Sequence, residues 1–339
     1  MKKPAPRETI LSLFNQAADG FVSGAQISAE LGVSRTAVWK HIRSLRQAGY
    51  KIEAIPSRGY QLVQSPDILV PEAILAGLDC RRIGSRVCCL DVADSTNLQA
   101  CRFGDDGESE GLVVIADQQR SGKGRMGRRW ESPAGVNLYA SILLRPAILP
   151  FDAPQLTFLS AVAVCRAILT VTGLKATVKW PNDVLLNGKK VAGLLNEMSA
   201  ETDRVHYVVL GIGVNLNMQE DQFPGDLRYP ATSLAIAKEG PVSRLDFARA
   251  LLREIDAWYQ VFLQQGSGPV LDAWVRLCDM NGKAVRVDCN ELEIEGIMTG
   301  LADDGALLVR TATGKMERVY AGDVRPVKPR YEGRGTRDE

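Results

Sequence analysis

The nine residues Gly122-Lys123-Gly124-Arg125-Met126-Gly127-Arg128-Arg129-Trp130 combine three glycines, four cations and a tryptophan. Glycine lets a backbone turn tightly and approach a ligand closely, while guanidinium and ammonium groups suit phosphate or carboxylate oxygens. The segment reads as a loop that folds over an anionic ligand, with a solvated basic hairpin as the plainer alternative. The spacing Gly122-x-Gly124-x-x-Gly127 matches a dinucleotide fingerprint, and Val113-Val114-Ile115-Ala116 could supply its strand. That fingerprint must open a helix. Here Arg128-Arg129-Trp130-Glu131-Ser132-Pro133 follows, which has no helical period and contains a breaker. No Gly-Lys-Ser/Thr closes the segment, so it is not a P-loop.

Three further segments carry chemistry. Asp94-Ser95-Thr96-Asn97 places short hydrogen-bonding side chains ahead of a helical stretch at 98–102, where capping is the ordinary explanation. Val178-Lys179-Trp180-Pro181-Asn182-Asp183 reads as a strand ended by Pro181 and turned by Asn182 and Asp183. Asn187-Gly188 then gives a hairpin turn and returns Lys190 on a strand, followed by the small Ala192 and Gly193. A lone strand lysine is usually solvated; beside a basic loop it becomes a partner for phosphate. The apolar strand at 208–217 is interrupted by Gly211 and Gly213 and carries Asn215. Glycine inside a strand costs stability and marks close backbone approach.

Two histidines, His41 and His206, argue against a histidine metal site or a serine-histidine triad. His41 reads as part of a helix surface and His206 as a residue ahead of a strand. Seven cysteines without a Cys-x-x-Cys pair fit reduced thiols in a cytoplasm, with Cys88 and Cys89 in a strand.

The elements that must position these groups fall into three parts. The 339 residues are 45% hydrophobic, enough for a multidomain globular protein. No uninterrupted apolar run of about 18 residues occurs. The nearest, 156–174, is broken by Arg166 and reads as a buried helix, so no membrane association is expected. The start Met-Lys-Lys-Pro-Ala-Pro lacks the apolar core of a secretory signal. The net charge is only +1, yet residues 1–65 carry nine Lys/Arg against four Asp/Glu. A basic front on a slightly acidic body suggests a nucleic-acid-binding module.

Within that front, a helix is expected at 7–16, a second at 24–31 capped by Ser23, a turn at Gly32, and a third helix from Ser34 to about residue 47. This is a helix-turn-helix. Val38, Ile42 and Leu45 fall at helical spacing and face the core. Arg35, Thr36, Trp39, Lys40 and Arg43 remain on the exposed side, where a recognition helix meets DNA. Strands at 51–55 and 60–63, joined by Pro56-Ser57-Arg58-Gly59, form a wing with Arg58 near its tip. A contact purely to protein is the alternative use of such a fold. Ser65-Pro66-Asp67 marks a linker.

The order of Ser95-Thr96-Asn97, Gln119 through Trp130, Lys179-Trp180-Pro181-Asn182-Asp183, Lys190-Val191-Ala192-Gly193 and Gly211-Ile212-Gly213-Val214-Asn215 resembles the biotin–protein ligase family. With the winged helix in front, residues 5–325 resemble its bifunctional ligase and biotin operon repressor branch. The resemblance implies an α+β multidomain fold: a winged helix-turn-helix at 1–65, a mixed α/β ligase domain at 66–270, an SH3-like β-barrel at 271–328 and a flexible tail at 329–339. Alternating apolar and polar runs at 283–327, with turns such as Asp303-Asp304-Gly305, agree with a small antiparallel barrel.

The resemblance also implies chemistry. Biotin and MgATP give biotinyl-5′-adenylate, from which biotin passes to a lysine of a biotin carboxyl carrier protein. Ser95, Thr96, Asn97 and Gln119 would lie against the biotin head group, with Gly211 and Gly213 in the pocket wall. Gly122, Lys123, Gly124 and Arg125 would wrap the adenylate beside Trp130, with Arg128 near the phosphates. Lys190 would contact the reacting carboxylate and α-phosphate, and Asp183 would orient the acceptor lysine or a magnesium ion. Where the family usually has arginine this chain has Lys123, which keeps the charge but loses the two-pronged donor, so looser retention of the adenylate is expected. The adenylate would serve as corepressor by favouring a homodimer on operator DNA. Two rivals stay open: a lipoate-class ligase, and a repressor that senses its ligand without catalysing.

Overall fold

The computed structural model describes residues 6–17, 20–47, 49–64, 67–289 and 292–327. Ser65 and Pro66 of the expected linker, and the expected tail after residue 327, lie outside the described residues.

The first part is built as its caps and apolar spacing dictate. Helices α1 (Pro6–Gln16), α2 (Gly24–Leu31) and α3 (Arg35–Gln47) pack with a three-stranded sheet of β1 (Phe21–Val22), β2 (Lys51–Ile55) and β3 (Gly59–Gln64). Ser23 Oγ accepts from Gln26 N, and Ser34 Oγ from Ala37 N, which satisfies orphan donors at both helix starts. Gly32 ends α2 in the left-handed region at φ 65°. Ile10, Ile27, Val38, Ile42 and Leu45 are fully buried and form the shared core.

A short helix α4 (Pro71–Leu75) leads into a seven-stranded sheet. Its strands are β4 (Arg86–Ala93), β5 (Leu112–Gln119), β6 (Leu138–Leu144), β7 (Thr177–Lys179), β8 (Asp183–Leu186), β9 (Lys189–Ala200) and β10 (Val205–Val214), in the order β4-β5-β6-β10-β9-β8-β7. Only β4 and β5 are parallel, joined by the crossover helix α5 (Thr96–Asp105). α5 covers one face of the sheet through Ala100, against Leu112, Val114, Leu143 and Val209. The other face is covered by α6 (Gln155–Thr172), on which α8 (Arg244–Gln265), α9 (Gly268–Leu277) and the short α7 (Leu234–Lys238) pack. Residues 150–172 are long and apolar enough to pass for a membrane span, but α6 sits in the core with twelve of its side chains buried.

The last part is a five-stranded antiparallel sheet, β11 (Ala284–Cys289), β12 (Leu292–Leu301), β13 (Leu307–Thr311), β14 (Met316–Val319) and β15 (Asp323–Pro326), ordered β14-β13-β12-β11-β15. It rests on α6: a Cβ on Gly305 would lie 2.5 Å from the Phe158 ring, and Gln155 Nε2 donates to Asp303 O at 3.3 Å.

Three local expectations are corrected. The stretch expected at 98–102 runs from Thr96 to Asp105. Ser95 occupies its N-cap but makes no side-chain cap; Asp94 Oδ1 instead accepts from Ser95 N at 2.8 Å. His206 lies inside β10 and bonds Glu201 Oε1 at 3.1 Å.

Candidate active site

β-strand alternation decides what faces the α5 side of the sheet. On β10 the residues pointing there are Val209, Gly211 and Gly213, and on β9 they include Gly193 and Leu195. The glycines leave room, and two protein side chains take it. A Cβ on Gly211 would collide with the Asn97 amide and the Leu195 carbonyl; one on Gly213 would lie 2.6 Å from Trp130 Nε1, and one on Gly193 2.9 Å from the Trp130 ring. These glycines admit Asn97 and Trp130, and those side chains in turn form the wall.

Asn97 is held by three hydrogen bonds. Its Nδ2 donates to Leu195 O at 3.0 Å and Glu197 Oε2 at 2.8 Å, and its Oδ1 accepts from the Ser141 hydroxyl at 2.6 Å. Thr96 N donates to Gln119 Oε1 at 2.9 Å, and Gln119 Nε2 to Ser132 Oγ at 2.9 Å, whose hydroxyl reaches Trp130 O. The α5 start, β5, β6 and the Trp130 segment are thus one hydrogen-bonded unit. Trp130 Nε1 is buried and has no hydrogen-bond partner among the described residues.

The segment 122–130 folds back on itself as a small hairpin. Trp130 N donates to Gly122 O at 2.9 Å, Gly124 N to Arg128 O at 2.7 Å, and Met126 adopts φ 56° at the tip. Arg129 pairs with Glu131 and Arg128 with Asp323, whereas Lys123 and Arg125 have no carboxylate partner among the described residues. Burial pushes the Arg125 pKa down from its ordinary value, against the opposing pull of Asp323 and Asp183. Its Nη1 lies 3.5 Å from Asn182 Oδ1.

Across the cavity, the Asn187-Gly188 turn sets β9 beside β8, and Lys190 Nζ meets Asp183 Oδ1 at 2.6 Å. The ammonium also stands 5.4 Å from the centre of the Trp130 ring. Lys190 N donates to Pro230 O and Lys190 O accepts from Thr232 N, which pins the segment 223–232 over the same opening.

Ser95, Thr96, Asn97, Gln119, Lys123, Gly124, Arg125, Arg128, Trp130, Asp183, Lys190, Gly193, Gly211, Gly213 and Asn215 all line one cavity of about 560 Å³. Gly122 does not line it but backs the Trp130 carbonyl. Asn215 is 4% exposed and its amide is spent on Thr232 O and Asn137. A second cavity of about 470 Å³ on the α6 side shares Arg125, Asn182, Leu194 and Leu195 with the first. Sequence reasoning missed Ser141, Arg228, Tyr229 and Asp323. Arg228 and Tyr229 sit in a stretch without periodicity, and Asp323 comes from the distant C-terminal sheet.

On the first part, Arg35, Thr36, Trp39, Lys40, Arg43 and Arg58 are all exposed. Arg43 stacks over Trp39 at 5.5 Å, and Arg58 over Phe21 at 3.7 Å.

The cation-lined pocket lies on a mixed sheet, and a winged helix-turn-helix precedes it; the comparisons with known proteins define the class as a ligase that carries a DNA-binding module. The profile of the Biotin/lipoate A/B protein ligase family matches residues 90–215, that of an HTH domain residues 6–61, and that of the Biotin protein ligase C terminal domain residues 282–325. The chain is 39% identical over 318 residues to the Bifunctional ligase/repressor BirA of Bacillus spizizenii, covering 94% of this chain and 98% of the relative. It is 34% identical over 291 residues to that of Escherichia coli, covering 85% and 88%. The biotin protein ligase of Aquifex aeolicus, solved with biotin and ATP, superposes with a TM-score of 0.62 at 28% identity, covering 72% of this chain and all of that one. This chain belongs to the biotin protein ligase family, in its bifunctional ligase/repressor branch.

Proposed function

We propose that this chain activates biotin with ATP, passes it to a carrier protein and represses transcription in response to the activated ligand. In the first step a biotin carboxylate oxygen attacks the α-phosphorus of ATP; that bond forms as the bond to the bridging oxygen breaks and pyrophosphate leaves. In the second, the neutral amine of an acceptor lysine attacks the acyl carbon. The amide forms, AMP leaves and the amine's proton goes to solvent.

Neither step requires a covalent intermediate on the enzyme, only positioning and positive charge where negative charge gathers. Lys190, held by Asp183, is the residue we assign to the reacting carboxylate and α-phosphate. Arg125 and Lys123 lack carboxylate partners among the described residues, and we assign them to the adenylate. Asn97, Thr96 and Gln119 form the polar floor for the ureido head, with the unpaired Trp130 indole as a further donor. Magnesium would arrive with the triphosphate. The acceptor is a biotin carboxyl carrier protein, and the adenylate-bound form pairs into a homodimer that sets two winged helices on operator DNA, in the cytoplasm.

The observation that carries this reading is the convergence of five separate segments on one cavity whose cations face a hydrogen-bonding floor. Mass spectrometry of small molecules made by the purified chain with MgATP and either biotin or lipoate tests it. Biotinyl-adenylate from biotin alone is expected. Lipoyl-adenylate would move the protein to the sister class, and no adenylate from either acid would leave a ligand-sensing repressor.

A further inference from the structure

The C-terminal sheet reaches into the cavity with one residue. Asp323, at the start of β15, has a side chain only 15% exposed, and its Oδ2 accepts from Arg128 Nη2 at 2.9 Å and from Arg228 Nη1 at 2.5 Å. The two arginines come from different segments: Arg128 from the glycine-rich hairpin, Arg228 from the stretch that Lys190 pins on its far side. Both segments line the cavity, so a single carboxylate links them side by side at its mouth.

The neighbouring contacts strengthen the second grip. Arg228 Nη2 also lies 3.4 Å from Asp288 Oδ2, and Arg325 Nε donates to the Tyr229 hydroxyl at 3.2 Å. Lys179 Nζ stands 3.5 Å from the centre of the same Tyr229 ring. Domain attachment does not explain Asp323, because the sheet is already seated on α6 through Gly305, Phe158 and Gln155. Charge does not make it a block either. Arg128, Arg228, Arg325 and Lys179 stand against Asp323 and Asp288, so cations outnumber carboxylates at this edge of the mouth.

We propose that Asp323 is a positioning residue for nucleotide capture: it holds Arg128 and Arg228 side by side at the mouth and leaves their remaining N–H donors for the polyphosphate of ATP. The inference rests on the ligase reading above. Arginine loses much rotamer freedom when immobilised, and planar donors work best when already aimed at their anion. Two arginines fixed in advance by one acceptor lower the cost of binding ATP without touching the biotin end of the cavity.

The test uses the full chain. Pyrophosphate release is followed against MgATP at saturating biotin, and biotin binding without nucleotide is measured by calorimetry, for the wild type, Asp323→Asn and Asp323→Glu. Asp323→Asn should raise KM for MgATP about tenfold, leave the biotin Kd within about twofold, and be largely rescued in Asp323→Glu. An unchanged or lowered KM for MgATP in Asp323→Asn overturns the proposal, because the carboxylate would then only screen the arginines. An equal loss of biotin binding also overturns it, since the role would be general support. Should Asp323→Asn fail to fold, Arg228→Gln must raise the same KM with biotin binding kept; no rise rejects the proposal. A wild type that forms no adenylate strikes the ligase reading instead, and is seen in the same assay.

Discussion

The glycines at 193, 211 and 213 earn their place by what other residues do above them. Gly213→Ala sets a methyl group 2.6 Å from Trp130 Nε1 and must displace the indole. Overpacking of this kind costs about 1–3 kcal/mol, so the biotin Kd is expected to rise roughly tenfold or more. Calorimetry checks it, and an unaltered Kd would remove Trp130 from the biotin wall. Asp323 gives a second expectation at this scale. Burial opposes its ionisation, but the hydrogen bond and charge of Arg128, with Arg228, outweigh it and hold the carboxyl below its usual range. A carboxylate lowered by folding adds stability above its unfolded value of about 4 and loses it as pH falls through the lower folded value. The difference in thermal midpoint between wild type and Asp323→Asn should therefore be constant from about pH 8 to 5 and close only in stronger acid. A gap that closed near neutrality would contradict the ion pairs with Arg128 and Arg228. Most of the residues that gather around the cavity were legible, because lysines, arginines and glycines packed into short segments are costly unless used. Arg228 and Asp323 were not legible, since an ion pair across 95 residues leaves no local pattern.

At the scale of elements, caps and alternation told most of the story. Ser23, Gly32 and Ser34 bound α2 and α3 where their chemistry requires, and the glycines of β10 fall two apart, on one face of the strand. What stayed hidden was how the parts are joined. Arg244, at the start of α8, is 5% exposed; its Nη1 donates to Asp117 Oδ1 at 2.6 Å and its Nη2 to Asp67 O at 2.8 Å. Asp67 Oδ1 in return accepts from Arg244 N and Leu245 N at 2.6 and 3.1 Å. One buried guanidinium thus ties Asp67, the last residue of the expected linker, to β5, the strand that ends in Gln119. Arg244→Ala strands two carboxylates and should destabilise the chain by about 2–4 kcal/mol, less than for a fully buried pair because both aspartates are partly wet. Asp67→Ala removes only the helix-start acceptor and one arm of the pairing, costing about 1 kcal/mol. Urea titration checks both; equal effects would mean that the arginine's bond to β5 contributes nothing.

For the whole molecule, charge is the part that the sequence displayed most openly. Among the described residues of that front, Arg35, Lys40, Arg43 and Arg46 lie exposed on α3 and Arg58 on the wing. Arg35→Ala with Lys40→Ala should weaken duplex binding and reduce the salt dependence of its affinity by about two phosphate contacts, with adenylate synthesis unchanged. A salt dependence equal to that of the wild type would assign the DNA face elsewhere. The relation of that face to the ligase body was not displayed, because it is set by packing of α1 on α4 and of α4 on α8. Asn15 Nδ2 donates to Ala76 O at 3.3 Å, and the guanidinium of Arg249 to Ala73 O.

The Arg244 bracket has a consequence for measurement on DNA. A chain pivoting freely at residue 67 could place its reading helix on half-sites of any separation. With Asp67 fastened and α4 clamped, the helix has one bearing, and in the proposed homodimer two such bearings would act as calipers with a fixed span. An operator with perfect half-sites but an inserted half-turn of about five base pairs would then be refused, because the insert moves one half-site along the duplex and turns it to the opposite face; loosening Arg244 would relax one of the two fastenings and weaken that refusal.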